Sequence, residues 1–211
     1  MVKQRRNRRD YSKCAYCGHP ATSKDHVPPK CIFPRERDDL ITVPACNAHN
    51  GERSRLDALL LEFLGLFAAQ VEPFNHELWE RAWKSIKRSR RDRILRERLV
   101  HDQRSSLAVV GVEAAPFIAS IKFIARGLYW HHTGACLGLD TRISGSMWRP
   151  DVELPMLSRF TSRSIAKGQF VYAFGVAEDG PKTSAWYMQF HGNVLAAIWT
   201  GALADNRDHE T

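Results

Sequence analysis

Three short runs decide the reading of this chain: Cys14-Ala15-Tyr16-Cys17, then Lys24-Asp25-His26-Val27-Pro28-Pro29, then Cys46-Asn47-Ala48-His49-Asn50-Gly51-Glu52-Arg53-Ser54. Cys14 and Cys17 stand at the C-x2-C spacing whose tight turn aims both sulfurs at one ion, and Cys46 with His49 repeats that spacing. Two such pairs around a compact segment predict a closed tetrahedral site for structural zinc, with Cys14, Cys17, Cys46 and His49 as ligands. Cys31 competes for the fourth position, but it stands alone between Lys30 and Ile32 while His49 completes a regular pair. From Tyr11 to about Asp57 the chain is poor in apolar residues, too poor for a core of its own. Zinc contributes on the order of 10–16 kcal/mol to small fingers at neutral pH, which makes the ion the staple this segment needs.

Between and just after the ligand pairs stand residues suited to phosphodiester hydrolysis. Asp25 and Asn50 offer hard oxygen donors to a divalent ion such as Mg2+ or Mn2+, with positions left for water and phosphate. A neutral imidazole at His26 takes the proton of an attacking water near pH 7, as a general base. Neighbouring side chains on a strand point to opposite faces, so Asp25 and His26 share a site if the backbone bends, and Pro28-Pro29 predict that bend. Asn50 follows zinc ligand His49 directly, so the structural ion would fix the position of the catalytic one.

In order and spacing, Cys14-x2-Cys17, Asp25-His26-Val27-x-Pro29, Asp39-Leu40 and Cys46-x2-His49-Asn50-x2-Arg53 resemble the HNH endonuclease signature over about a fifth of the chain. The resemblance implies a ββα-metal finger with the active site between hairpin and helix. It implies Asp25 and Asn50 as ligands of the catalytic ion and His26 as the activator of water. Arg53 stands where the family commonly has Lys and is placed to steady transition-state phosphate charge. Asp39 falls at the central position, where an Asn normally braces the loop bearing the base; an ionised carboxylate accepts hydrogen bonds but cannot donate them. His49 replaces the more usual fourth Cys. The glycine pair that many members carry after the Asp-His-x-x-Pro element is absent, so the loop from Lys30 to Arg37 must follow another path.

Composition agrees with such a partner. The 211 residues carry a formal charge of +8, and a pI near 9.5 favours a polyanion over a membrane or an acidic protein. Residues 1–10 form a basic arm, Lys3, Arg5, Arg6, Arg8 and Arg9 against Asp10, which reads either as a solvated tail or as a grip on phosphates. The odd number of cysteines, with three of the five in the metal pattern, points to a reducing compartment rather than a disulfide framework. No apolar segment follows the basic start and no membrane-length apolar run occurs, so a soluble, cytoplasmic protein is expected. Cys136 reads as a buried thiol, His19 as solvated, and the His131-His132 pair as a helix-end or packing feature.

Beyond the finger, assigned to residues 11–57, residues 58–211 read as one α+β accessory domain. Leu56, Leu59, Leu60, Phe63, Leu64 and Phe67 form the stripe of a helix over about 56–70. Asn75 caps a second helix over about 76–100, with Trp79, Trp83 and Ile86 on one side. Between Arg81 and Arg98 it holds nine Lys or Arg against Asp92 and Glu97, either a solvated flank or a phosphate-binding one. A third helix over about 115–131 places Phe117, Ile121, Ile124 and Leu128 in register, with Gly134 to end it. Aromatic and β-branched runs at 169–174, 184–190 and 194–200 predict an antiparallel meander. The expected function is a metal-dependent endonuclease acting on DNA, in defence against foreign DNA or in a mobile element, with the accessory domain supplying substrate choice, a protein partner or a homo-oligomer contact. A non-catalytic zinc-finger protein that binds nucleic acid and an RNA-cleaving toxin are the alternatives, because the finger holds phosphate and metal rather than a base-reading surface.

Overall fold

The computed structural model describes residues 9–35, 37–68, 75–97, 99–102, 107–110, 114–138, 140–148, 160–178, 180 and 182–201. Of the basic arm only Arg9 and Asp10 fall among them; residues 69–74, with the helix break read at Val71–Pro73, and Arg98 lie outside the described residues. Among the described residues no helix is long and apolar enough to cross a membrane.

β1 (Ser23–Val27) and β2 (Ile41–Ala45) form an antiparallel hairpin with Asp25 opposite Val43 and His26 opposite Thr42. α1 (Asn47–Ala68) follows directly. The stripe read from Leu56 onward is the second part of this helix. Its earlier turns carry His49, Asn50, Arg53 and Ser54, polar residues that leave no apolar signature. The boundary drawn between residues 57 and 58 therefore falls inside a continuous helix.

The single helix expected over 76–100 is replaced by α2 (His76–Arg88), α3 (Asp92–Glu97) and a hairpin of β3 (Leu99–Asp102) with β4 (Leu107–Val110). Asn75 caps α2 as the sequence indicates, its side chain accepting from the Leu78 amide at 3.1 Å. Ser89 stops it: its hydroxyl donates to the carbonyls of Ser85 and Ile86, and Arg90 adopts φ +56°. The buried face of α2 is Leu78, Ala82 and Ile86, while Trp79 and Trp83 stack on one another beside it. α2 lies close against α1 because position 65 is glycine; a Cβ there would collide with Ala82.

α4 (Ala114–Thr133) buries Phe117, Ile121, Ile124 and Leu128 as predicted, and Gly134 ends it at φ +73° with its N–H on the Trp130 carbonyl. The C-terminal strands form a five-stranded antiparallel sheet in the order β5-β9-β8-β7-β6, from β5 (Ile143–Trp148), β6 (Thr161–Ile165), β7 (Phe170–Val176), β8 (Ser184–Phe190) and β9 (Val194–Thr200). The expected meander supplies β7 to β9. β6 escapes a pattern reading because it is an edge strand with four of its five residues exposed. α4 packs against both the sheet and the β1–β2–α1 unit, and one hydrophobic cluster runs from Tyr16, Val27 and Phe33 through Leu60 and Phe63 to Phe117, Phe170, Trp186 and Ile198. The segment too poor in apolar residues for its own core thus shares that of the rest of the chain.

Candidate metal centre and active-site cleft

The ligand atoms of Cys14, Cys17, Cys46 and His49 all lie within 4.8 Å of one another, forming a group able to hold a metal ion such as zinc. The edges of a tetrahedron with zinc–sulfur bonds of about 2.3 Å measure about 3.8 Å. Cys17 Sγ lies 3.9 Å from Cys46 Sγ, Cys14 Sγ lies 3.8 Å from His49 Nδ1, and Cys46 Sγ lies 3.3 Å from His49 Nδ1. The donor set and its spacing therefore fit the ion. The His49 amide pulls the Cys46 thiol down to about 6, which favours the thiolate a metal needs. Cys31 is elsewhere: its Sγ donates to the Asp57 carbonyl, and burial pushes that thiol up to about 12. Cys136 is half-buried, and His19 is exposed.

The His49 ring packs on Tyr16 and on Phe123 of α4, and so joins the ligand group to a buried polar chain. Tyr16 donates its hydroxyl to Asp25 Oδ2 at 2.5 Å. Arg53, 1 % exposed, sets its guanidinium 3.3 Å from the same oxygen, donates to the Tyr16 hydroxyl at 2.9 Å and pairs with Asp57 Oδ1 at 3.1 Å. The guanidinium also lies over the Tyr16 and Phe123 rings, at 5.6 and 5.7 Å. Burial raises the Asp57 carboxyl to about 6, against the opposing pull of Arg53. Arg53, read from the sequence as a phosphate contact, is thus enclosed among side chains and holds Asp25 in place.

Asp25 and His26 line one cleft of about 780 Å³ between the hairpin, α1 and α2. The bend expected between them is absent, since β1 keeps its register to Val27, and the chain turns only afterwards. Both residues nevertheless border the cleft. His26 is half-buried, and burial, reinforced by Lys30, lowers its pKa below the ordinary value of 6.5. Ser54, Asp57 and Leu61 of α1 share this lining, and Asn50 lies one helical turn before Ser54 on the same face. The same lining includes Lys30, Arg37, Arg81, Lys84 and Arg88, three of them from α2. The basic flank of that helix therefore looks into the cleft.

A catalytic divalent ion is a separate matter from zinc. Among the described residues the Cys/His quartet is the one group of three or more His, Cys, Asp or Glu ligands within reach of one another. The cleft lining offers the Asp25 and Asp57 carboxylates, both paired with Arg53, and Asn50 lies outside that lining.

The loop segment from Lys30 to Arg35 is held from outside. Arg81 donates to the carbonyls of Cys31 and Phe33, Gln169 to that of Arg35, and His191, in the β8–β9 turn, to that of Ile32 at 3.0 Å. Asp39 is not brought to the cleft. Its Oδ1 accepts from the Ala166 amide at 2.8 Å, tying the start of β2 to the end of β6. Tyr16, Asp57 and the cleft-facing cations of α2 were not singled out by the motif. The four-residue interval from Arg53 to Asp57 on a helix carried a legible signal; Tyr16, between two cysteines, carried none.

Comparison of the chain with protein-family models, with curated proteins and with solved structures finds no match.

Proposed function

We propose that the protein is a metal-dependent endonuclease of the HNH type that hydrolyses phosphodiester bonds of DNA. The observation that carries this reading is the cleft itself, which Asp25 and His26 line together with five cations. A substrate phosphate is attracted by Lys30, Arg37, Arg81, Lys84 and Arg88. His26, neutral at neutral pH because its pKa is lowered, takes the proton of the attacking water. Asp25 and Asn50 would hold Mg2+ or Mn2+, which when bound supplies Lewis-acid stabilisation of the phosphate charge. Tyr16 and Arg53 act on Asp25 as positioning residues, fixing the carboxylate before substrate arrives. The quartet of Cys14, Cys17, Cys46 and His49 holds structural zinc and, through the His49–Tyr16 contact, keeps hairpin and helix in register.

One observation favours the non-catalytic alternative. The Arg53 guanidinium neutralises the carboxylate that the catalytic ion would use, so the protein would bind nucleic acid in the cleft without cutting it. Incubation of the zinc-loaded protein with supercoiled plasmid, linear duplex and RNA, with Mg2+ or Mn2+ added or withheld, separates the readings. Metal-dependent cleavage of DNA is expected; cleavage of RNA alone would assign a ribonuclease, and binding without cleavage would assign the non-catalytic protein.

A further inference from the structure

A second cavity, of about 410 Å³, borders β2 of the hairpin and has no part in the chemistry described above. It lies between β2, the end of α4 and strands β6 and β7. Thr42, Tyr11, His131, Arg163 and Tyr172 are among its walls, with Asp39 at one end. His132 is fixed there by a 3.0 Å hydrogen bond between its Nε2 and the Tyr172 hydroxyl, and by stacking on Phe174 with ring centroids 4.0 Å apart. Burial holds His132 down at about 4, with His131, Arg163 and Arg9 acting in the same direction, and Arg163 itself lines the cavity.

Two features point to a ligand. Tyr11 is the one large hydrophobic residue among those described that is exposed, at 51 %, and it is not loose: its ring sits edge-on to Trp130 at 5.2 Å. An aromatic ring that lines a cavity together with a guanidinium, here Tyr11 with Arg163, is the arrangement that single-stranded nucleic acid uses, base on ring and phosphate on cation. The second feature is position. His26 and Thr42 are directly opposed in the β1–β2 ladder, so their side chains leave on the same face with Cβ atoms roughly 5 Å apart. His26 borders the cleft and Thr42 borders the second cavity, which makes the two sites neighbours across a single cross-strand pair.

We propose that this second cavity is a nucleotide subsite that receives one unstacked nucleotide of a single strand, its base against Tyr11 and its phosphate on Arg163, beside the phosphate held at His26. Its place along the strand rests on the nuclease reading; its binding chemistry does not. The hydroxyls of Thr42 and Ser164 and the Asp39 carboxylate supply donors and acceptors for a base edge that pairing no longer satisfies. A paired base within a duplex would be too deeply stacked to enter.

The test is fluorescence anisotropy of the full zinc-loaded chain with labelled oligo-dT and oligo-rU, and with a duplex of the same length, without added Mg2+ or Mn2+. Tyr11→Ala and Arg163→Ala are each expected to weaken single-strand binding by about tenfold, while Tyr11→Phe, which keeps the ring, stays within about twofold of wild type. Duplex binding is expected to be unmoved by Tyr11→Ala. Both residues are exposed, so zinc content and melting temperature should be those of wild type. Wild-type single-strand affinity in both alanine variants, or no single-strand binding at all, overturns the subsite. Because binding is read without the catalytic ion, a protein that cuts DNA but ignores Tyr11 loses only the subsite, and one that binds through Tyr11 but never cuts loses only the nuclease reading.

Discussion

Arg53 shows how far a motif position can be from the role its type suggests. A guanidinium at that point of the sequence reads as a phosphate contact, but of its surroundings only Asp57, four residues on in α1, is near in sequence, while Tyr16, Asp25 and Phe123 became neighbours only on folding. Removing it would leave the Asp25 and Asp57 carboxylates buried without their counter-charge. Arg53→Met is therefore expected to destabilise the protein by about 3–5 kcal/mol in urea unfolding, far beyond the effect of losing a surface contact. A loss under about 1 kcal/mol, with nuclease activity alone abolished, would restore the phosphate role. The Cys14, Cys17, Cys46 and His49 group was legible at this scale because ligand spacing is a local property, whereas the contact of Asp39 was not. Its partner, Ala166, is distant in sequence and nothing in either residue announces the contact.

Elements were readable where their packing is periodic and unreadable where it is not. The α4 stripe appears in the sequence because it presents one regular face to the core, and β7 to β9 appear because they are aromatic and β-branched runs. α2 and α3 were fused because Ser89, Arg90 and Arg91 are ordinary helix residues by type, and the hydroxyl bond that ends α2 is visible only in three dimensions. The wall of the cleft depends on how closely α2 lies on α1. Gly65→Val would force Ala82 outward, with Arg81, Lys84 and Arg88 carried on the same helix. The expected cost is about 1–3 kcal/mol of stability together with weaker nucleic-acid binding; a variant with wild-type melting temperature and affinity would contradict the crossing as described. The β8–β9 turn gives a pH test. Burial holds His191 at about 4 against an ordinary value of 6.5, so between those values the unfolded chain takes up a proton that the folded one does not. That contribution is complete above pH 6.5 and is lost as pH falls through the window, by at most about 3 kcal/mol. His191→Gln, which can still donate to Ile32, should flatten the decline in urea midpoint between pH 7 and pH 5; an unchanged slope would remove His191 as its source.

At the scale of the whole molecule, a metal centre too small to fold alone is completed by a helical and sheet scaffold that shares its core and shapes its loop. Removing the ion should therefore do more than melt residues 11–57. Chelation is expected to lower the melting temperature of the entire chain in one transition, because Tyr16, Val27 and Phe33 belong to the same cluster as Phe117 and Trp186. Two separate transitions, with the sheet surviving intact, would show that the two parts fold independently. The basic character of α2 was legible from the sequence, but which of its cations line the cleft was not, since periodicity alone does not say how the helix is turned. The central claim is that His26, in a cleft walled by cations, activates water for phosphodiester hydrolysis. It is tested most directly by single-turnover nicking of supercoiled plasmid in Mg2+ or Mn2+ by wild type and His26→Ala, matched for zinc content and melting temperature. The expected result is nicking by wild type and a loss of about a hundredfold to ten-thousandfold in the variant; equal rates in the two proteins, or no nicking by wild type across pH and metal while binding persists, would contradict it.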